Sequence, residues 1–558
     1  MAGGLLNLKA EGSNNMILNG NPTKTFFKVA YSKYTNFGLQ KFRIDYEGLR
    51  ELRPSEDSTF TFKMKRYGDL LMDTYLVVTL PDIWSPIYHP SEGTTNRWAP
   101  YEFRWIRNIG THMIKEVTLT CGSVTLQRYT GEYLAGVVER DFTEEKKRLF
   151  HHMTGNTPDL YDPANVNERA NTYPSAFYTN SGNGAEPSIR GKNLYIPINT
   201  WFTMDNRCAF PLIALQNNIL EITVTLRPIR DLFQVRDIFD NQYNRPYVQP
   251  DFNESRFQMF RYLQTPPNVN IDVSNYTNRI NTWNADVHLI STYCFLSEVE
   301  RQRFAREDHV YLIKEVHEHK FDNVTGTKKL KLMSNGMVAN WMWFLQRNDV
   351  NLRNEWSNYT NWPYRTQPGD VEFAPSNLSS LSGTGYDGGI PNNYGPFIDP
   401  QDGRNTGIYI TGNYKAVNRK EILETMGILL NGDYRENILT RGVFDYIEKY
   451  TRTQGFAHEG LYCYNFCLNT SPYVYQPSGA VNTSRFKTIE FDFTTYLPPI
   501  DVSGSTVNVE CDADNVPISV SSKPAWALYV YNYNLHVFEE RYNVLSFVGG
   551  NCGLMYAR

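Results

Sequence analysis

The residues best placed to do chemistry are His317-Glu318-His319. On a strand, the two-residue repeat turns both imidazoles to one face, which is how a cupin-type metal site begins. Such a site needs further ligands. No carboxylate of matching spacing follows on that face, and the nearest other histidines are His288 and His309. A solvent-facing strand of mixed charge explains the same residues.

Gly383-Thr384-Gly385-Tyr386-Asp387-Gly388 matches G-x-G-x-x-G. A dinucleotide site needs a strand before that motif and a helix after it. Here Pro375 to Ser382 precede it and Ile390-Pro391-Asn392 follow, so the stretch is a Gly-rich loop. Cys463 and Cys467 share a face of an alternating segment but sit about 13 Å apart at ~3.3 Å per residue. One zinc cannot span that, so both are assigned to packing. H-E-x-x-H, G-x-S-x-G and G-x-x-x-x-G-K-[ST] are absent. Gly184 to Lys192 approaches the last, but Asn193 stands where Ser or Thr is required. The expectation is of no catalytic residue, no metal ligand and no cofactor. Sequons occur at Asn253, Asn275, Asn323, Asn358, Asn377, Asn469 and Asn482. Asn358 and Asn377 are the candidate glycan acceptors.

Composition sets the frame for these residues. Of 558 residues, 41% are hydrophobic and 20% charged, which is globular rather than disordered. Tyr and Phe number 38 and 31, and both favour strands. A net charge of −4 argues against a protein that coats nucleic acid with its whole surface. Seven widely spaced cysteines, an odd number, suggest free thiols in a reducing compartment. No secretory signal is expected at the N-terminus, and no run of about 18 apolar residues suggests a membrane span.

The patterning is that of short strands. Residues 75–80 form an apolar run that Pro81 stops. Val117, Leu119 and Cys121 alternate with Thr118 and Thr120; Gly122-Ser123 then leads into Val124-Thr125-Leu126, a hairpin with a two-residue turn. Leu134, Val137, Val138 and Phe142 recur at helical spacing, so 130–152 is expected as one amphipathic helix in a connection. Residues 153–190 and 348–407 are long polar loops, and such loops inside a compact domain are usually functional. Strands return at 194–198 and 220–226. The last 35 residues are strand-like, with Tyr529, Tyr531, Tyr533, Leu535 and Val537 on one face. Two strand-rich halves, each with long end loops, suggest sandwiches or jelly rolls.

Several stretches resemble the major capsid proteins of nucleocytoplasmic large DNA viruses. They include Met1-Ala2-Gly3-Gly4-Leu5, Leu18-Asn19-Gly20-Asn21-Pro22, Thr25-Phe26-Phe27-Lys28 and Tyr34-Thr35-Asn36-Phe37. Arg66-Tyr67-Gly68-Asp69-Leu70 is similar to the family's R-x-G-D-L turn. Further resemblance lies at 194–198, Pro211-Leu212-Ile213-Ala214-Leu215-Gln216 and Glu300-Arg301-Gln302-Arg303-Phe304-Ala305. It continues at Gln476-Pro477-Ser478-Gly479, Asn482-Thr483-Ser484-Arg485, Asn543-Val544-Leu545 and Gly553-Leu554-Met555-Tyr556. Ser32-Lys33 departs from the Arg-Arg that the family often carries.

The resemblance implies an all-β chain of two consecutive eight-stranded jelly rolls with a few short helices. Its expected parts are an arm at 1–25, a first roll at 26–229, a connection at 230–282, and a second roll at 283–558 bearing the surface loop 348–407. It further implies a homotrimer forming a pseudo-hexagonal capsomer in an icosahedral virion shell, built in the host cytoplasm. Neighbouring capsomers, minor capsid proteins and penton proteins are the implied partners. The resemblance also implies an inner viral membrane nearby and no direct nucleic-acid contact. Two rival readings stand beside it. One is a carbohydrate-binding or carbohydrate-active sandwich using Trp341, Trp343, Trp356 and Trp362 as sugar platforms. The other is a jelly-roll oxygenase built on His317 and His319.

Overall fold

The computed structural model describes residues 3–48, 51–88, 99–169, 172–176, 186–236, 247–267, 273–365, 386–387, 390–391, 395–398, 405–410, 419–474, 476–498, 508–511, 517–521 and 530–556. The alternating stretches become strands. In the first half these are β1 (Phe37–Asp45), β2 (Ser58–Lys63), β3 (Leu70–Leu80), β4 (Ile114–Cys121), β5 (Val124–Tyr129), β6 (Lys192–Pro197), β7 (Leu220–Leu226) and β8 (His288–Leu296). They pair as two four-stranded sheets, β1-β8-β3-β6 and β2-β7-β4-β5. Leu220, Ile222, Val224 and Leu226 of β7 all point inward, as do Phe60 and Phe62 on β2 beside them. Gly122 takes φ +62° in the turn joining β4 to β5, the backbone region that a tight primed turn requires.

The second half repeats the wiring. Its strands are β9 (His309–Phe321), β10 (Thr327–Lys331), β11 (Met337–Arg347), β12 (Leu423–Leu430), β13 (Asp433–Thr440), β14 (Leu461–Asn465), β15 (Ile489–Thr495) and β16 (Tyr533–Val548). The sheets are β9-β16-β11-β14 and β10-β15-β12-β13. Every strand holds the place of the strand eight earlier in the chain, so the molecule is a jelly roll built twice.

Three boundaries differ from the sequence expectation. The first roll begins at Phe37, not at residue 26, because residues 26–36 lie exposed outside it. It ends with β8 at Leu296, beyond the expected start of the second roll at 283: β8 is the central partner of β1 and β3. Period-two patterning marks a strand but not the sheet it joins. The connection is instead short. Helix α3 (Glu298–Arg306; α1 and α2 precede it below) links the rolls and buries none of its residues.

The expected single helix over 130–152 is two, α1 (Gly131–Asp141) and α2 (Glu144–Thr154), broken at Phe142-Thr143. Nor is α1 amphipathic in its setting. All of its residues but Glu132 are buried, because it lies between the two rolls. The same sandwiching explains β11, whose Met-Val-Ala-Asn-Trp-Met-Trp-Phe-Leu-Gln-Arg run does not alternate. Trp341, Trp343 and Leu345 fill the second roll's own core, while Met342 and Phe344 join the core that continues into the first roll. A strand covered on both faces has no polar side to display.

Candidate functional site

The chemistry of this molecule concentrates at the seam between the rolls. Helix α1 is the wedge. Gly136 admits the tip of Met342: a Cβ at this position would stand 2.7 Å from Met342 Cε. The backbone N–H of Gly455, from the second roll, donates to Arg140 O at 2.8 Å. A Cβ at Gly455 would fall 2.6 Å from the carbonyl oxygens of both Glu139 and Arg140.

The seam is closed by buried charge. Arg140, 1% exposed, donates to Asn340 Oδ1 at 2.9 Å, Glu540 Oε1 at 2.8 Å and Asp141 Oδ2 at 2.7 Å. Tyr133 Oη donates to Glu540 Oε1 at 3.0 Å, and Asn340 Nδ2 to Glu540 Oε2 at 2.7 Å. Lys314 lies 3.6 Å from the same carboxylate. Burial alone would push the Glu540 carboxyl up. Arg140 and Lys314, with the hydrogen bonds from Asn340 and Arg140, outweigh it and hold the group at about 2. One end of α1 thus carries a carboxylate–guanidinium set whose partners all come from the chain itself. Charge paired within the chain in this way holds the two rolls in one register.

A second set laces the rolls together at residues 348–365. Asn354 Nδ2 donates to Arg230 O and Phe233 O at 2.7 and 2.8 Å, Trp356 Nε1 to Asp231 O at 3.0 Å, and Gln249 N to Leu352 O at 3.1 Å. Beneath them Asp349 pairs with Arg347 at 2.7 Å and Arg353 at 3.0 Å, all three buried. This part of the expected surface loop is therefore a strap docked on the first roll, since its polar side chains find partners there rather than in water. Asn358 is corrected with it. It is fully buried, its Nδ2 donates to Trp362 O at 2.8 Å and its Oδ1 accepts from Thr360 Oγ1 at 2.7 Å, so its amide is closed to a glycan in the folded chain. Asn377 lies outside the described residues. So does most of the Gly383–Gly388 motif; Tyr386–Asp387 forms a short strand paired with Ile390–Pro391.

The other candidates fall into the framework. Trp341 and Trp343 are core residues, 0% and 1% exposed. Trp356 is stacked under Arg227, whose guanidinium lies 4.1 Å from the ring, and Trp362 lies near Lys420. None of the four offers a bare sugar platform. His317 and Glu318 sit on β9 at the edge of a cleft of about 730 Å³, which Lys115, Arg128 and Glu315 also line. His317 Nε2 is 3.1 Å from Glu315 Oε1, and Glu318 Oε1 is 3.3 Å from His536 Nδ1. His319 is partly buried, and that burial lowers its pKa. Among the described residues, no three or more His, Cys, Asp or Glu side chains gather as metal ligands would. Cys463 and Cys467 are buried free thiols; burial pushes Cys463 up to about 12 and raises Cys467 as well.

Sequence reasoning missed the seam. Arg140 and Glu540 stand far apart in the chain, and no spacing rule joins them. One sign was present: Glu539-Glu540-Arg541 interrupts an otherwise alternating apolar strand.

The arm is the opposite of the seam. Every residue from 3 to 36 is exposed, among them Leu5, Leu6, Leu8, Ile17, Leu18, Phe26, Phe27 and Tyr31. Phe26 and Phe27 are 101% and 98% exposed. The arm's hydrogen bonds are local, such as Ala10 N to Leu6 O at 3.0 Å and Gly12 N to Asn15 Oδ1 at 2.9 Å. Large apolar side chains this bare are unusual on the surface of a folded chain.

Comparison with known proteins agrees with this architecture. The family model for the major capsid protein N-terminus matches residues 25–284. The model for the large eukaryotic DNA virus major capsid protein matches 300–553. The major capsid protein of Phaeocystis pouchetii virus is 24% identical over 592 residues, and that of Paramecium bursaria Chlorella virus 1 is 23% identical over 568. Both alignments cover 100% of each chain. Among solved structures, the quasi-atomic PBCV-1 virus capsid model aligns with a TM-score of 0.57 at 19% identity, covering 96% of this chain and 100% of that one. The Faustovirus major capsid protein aligns with a TM-score of 0.58 at 13% identity, covering 93% and 92%. Two jelly rolls of one wiring, matched along nearly their whole length, place this chain in the family of large eukaryotic DNA virus major capsid proteins.

Proposed function

We propose that the chain is a structural, non-enzymatic subunit whose trimer forms the pseudo-hexagonal capsomer of an icosahedral shell. The observation that carries this reading is the fused pair of rolls with matching strand order. Three such blocks joined head to tail close into a ring with six similar lobes, because heterologous contacts close when the rotation allows it. The buried seam keeps the two lobes of each block at a fixed angle, as tiling requires. Light scattering on purified protein should give three times 64.6 kDa. A stable monomer at micromolar concentration would sink the proposal.

The exposed arm fits contacts beyond the trimer. Its apolar side chains suit neighbouring capsomers, minor capsid proteins or penton proteins on the inner side of the shell, near a viral membrane. Deleting residues 1–36 should leave the trimer intact and stop shell assembly. The net charge of −4 agrees with a shell that does not contact nucleic acid directly. Assembly in the host cell cytoplasm is in keeping with the free thiols.

A further inference from the structure

The two rolls are also joined where a pair of cysteines meets. Cys121 ends β4 of the first roll, and Cys552 lies on the short strand Asn551–Leu554 that pairs with β16 of the second. Both are buried, at 0% and 5% exposure, and both belong to the core shared by the rolls. One segment of the first roll, residues 216–219, holds each of them in place. Gln216 N donates to Gly550 O at 2.9 Å and Asn217 Nδ2 to Asn551 Oδ1 at 3.4 Å. On its other side Ile219 O accepts from Gly122 N at 3.2 Å. Two turns anchored on the same segment bring the thiols within hydrogen-bonding reach of each other.

We propose that Cys121 and Cys552 are a latent cross-link, which a peroxide converts to a disulfide that staples the C-terminal hairpin of the second roll to the first. Either thiol, once ionised, can be the attacking sulfur. Its thiolate attacks one peroxide oxygen, the O–O bond breaks, and a sulfenic acid forms as hydroxide leaves and takes up a proton. The other thiol then attacks that sulfur, the S–O bond breaks, and its proton leaves with the second water. Two thiols and one hydrogen peroxide become one disulfide and two waters. Burial keeps larger oxidants away, and hydrogen peroxide is among the smallest that could reach the pair. The inference does not depend on the assembly reading, since a single chain contains both sulfurs.

The test uses the full-length protein. It is treated with hydrogen peroxide, unfolded in the presence of N-ethylmaleimide, and digested without reductant for peptide mass spectrometry. The expected result is a linked peptide pair containing Cys121 and Cys552, abolished by dithiothreitol. On a non-reducing denaturing gel the oxidised chain should run faster, because the cross-link closes most of the chain into one loop. The faster band should vanish in both Cys121→Ser and Cys552→Ser, with the alanine variants substituting if a buried serine impairs folding. Full alkylation of both cysteines in the peroxide-treated wild type, or linkage of either to a different cysteine, overturns the proposal.

Discussion

The two rolls share one wiring and use it differently. In the first, the connection between β5 and β6 grows into α1 and α2 and reaches across to the second roll. In the second, the matching connection between β13 and β14 is a brief helical segment over 443–452, and its Phe444 caps that roll's own core. The consequence is visible in the sheets. The sheet β9-β16-β11-β14 is covered on one face by its own partner sheet and on the other by α1. That is why it buries both tryptophans and the Glu540–Arg140 set. One inserted connection thus turns two similar sandwiches into a single block, and the symmetry of the wiring survives while the symmetry of the interior does not.

The largest blow to this arrangement should come from Arg140→Ala. It leaves Asp141 and Glu540 buried without their guanidinium, and breaking a buried pair in this way costs about 3–5 kcal/mol. Calorimetry should find a strongly lowered Tm or two separate transitions where the wild type has one. A change below about 1 kcal/mol would mean that the rolls do not rely on the seam. Gly455→Ala comes next. Its methyl would press on two backbone carbonyls that cannot swing aside, and overpacking of this kind costs about 1–3 kcal/mol. The same substitution at exposed Gly432 of the second roll meets nothing within 4 Å, although its φ of +91° carries backbone strain of its own. The larger loss at Gly455 is the informative outcome.

Acid acts in two steps. Burial lowers His112 of the first roll and His458 of the second alike to about 4. As pH falls from about 6.5 towards 4, the unfolded chain takes up a proton that the folded one does not, so stability declines across that window. Glu540, at the seam, is held at about 2 against an ordinary value of 4.5. Its contribution is complete above 4.5 and is lost as pH falls towards 2. Denaturant titrations should therefore trace two successive losses, and His112→Phe should lessen the upper one only, leaving the share of His458. An unchanged upper limb would remove His112 as one of its sources. The smallest effect belongs to the linker. Arg303 and Glu307, 3.0 Å apart and 72% and 55% exposed, form an i,i+4 pair on and just past α3. Arg303→Ala should cost about 0.5 kcal/mol or less. A larger drop in Tm would show that α3 bears on the seam.

Much of this was legible in the chain. Period-two patterning located β3, β4, β5, β7 and β16, and Gly122-Ser123 marked the β4–β5 turn, because a half-buried strand must alternate and a tight turn must admit positive φ. The resemblance of scattered segments pointed to a family. Which sheet a strand joins was not legible: β8 looks the same on paper in either roll, since its neighbours, β1 and β3, lie far away in sequence. Nor was the burial of Asn358 or α1, which depends on what the other roll covers, or that of Trp341, which depends on the sheet its own roll packs against it. Local sequence determines the period, the turns and the caps, because these follow from backbone sterics and from neighbours a few residues off. Only the tertiary structure could bring Arg140 to Glu540 and Cys121 to Cys552, because those meetings depend on how two complete sandwiches stack.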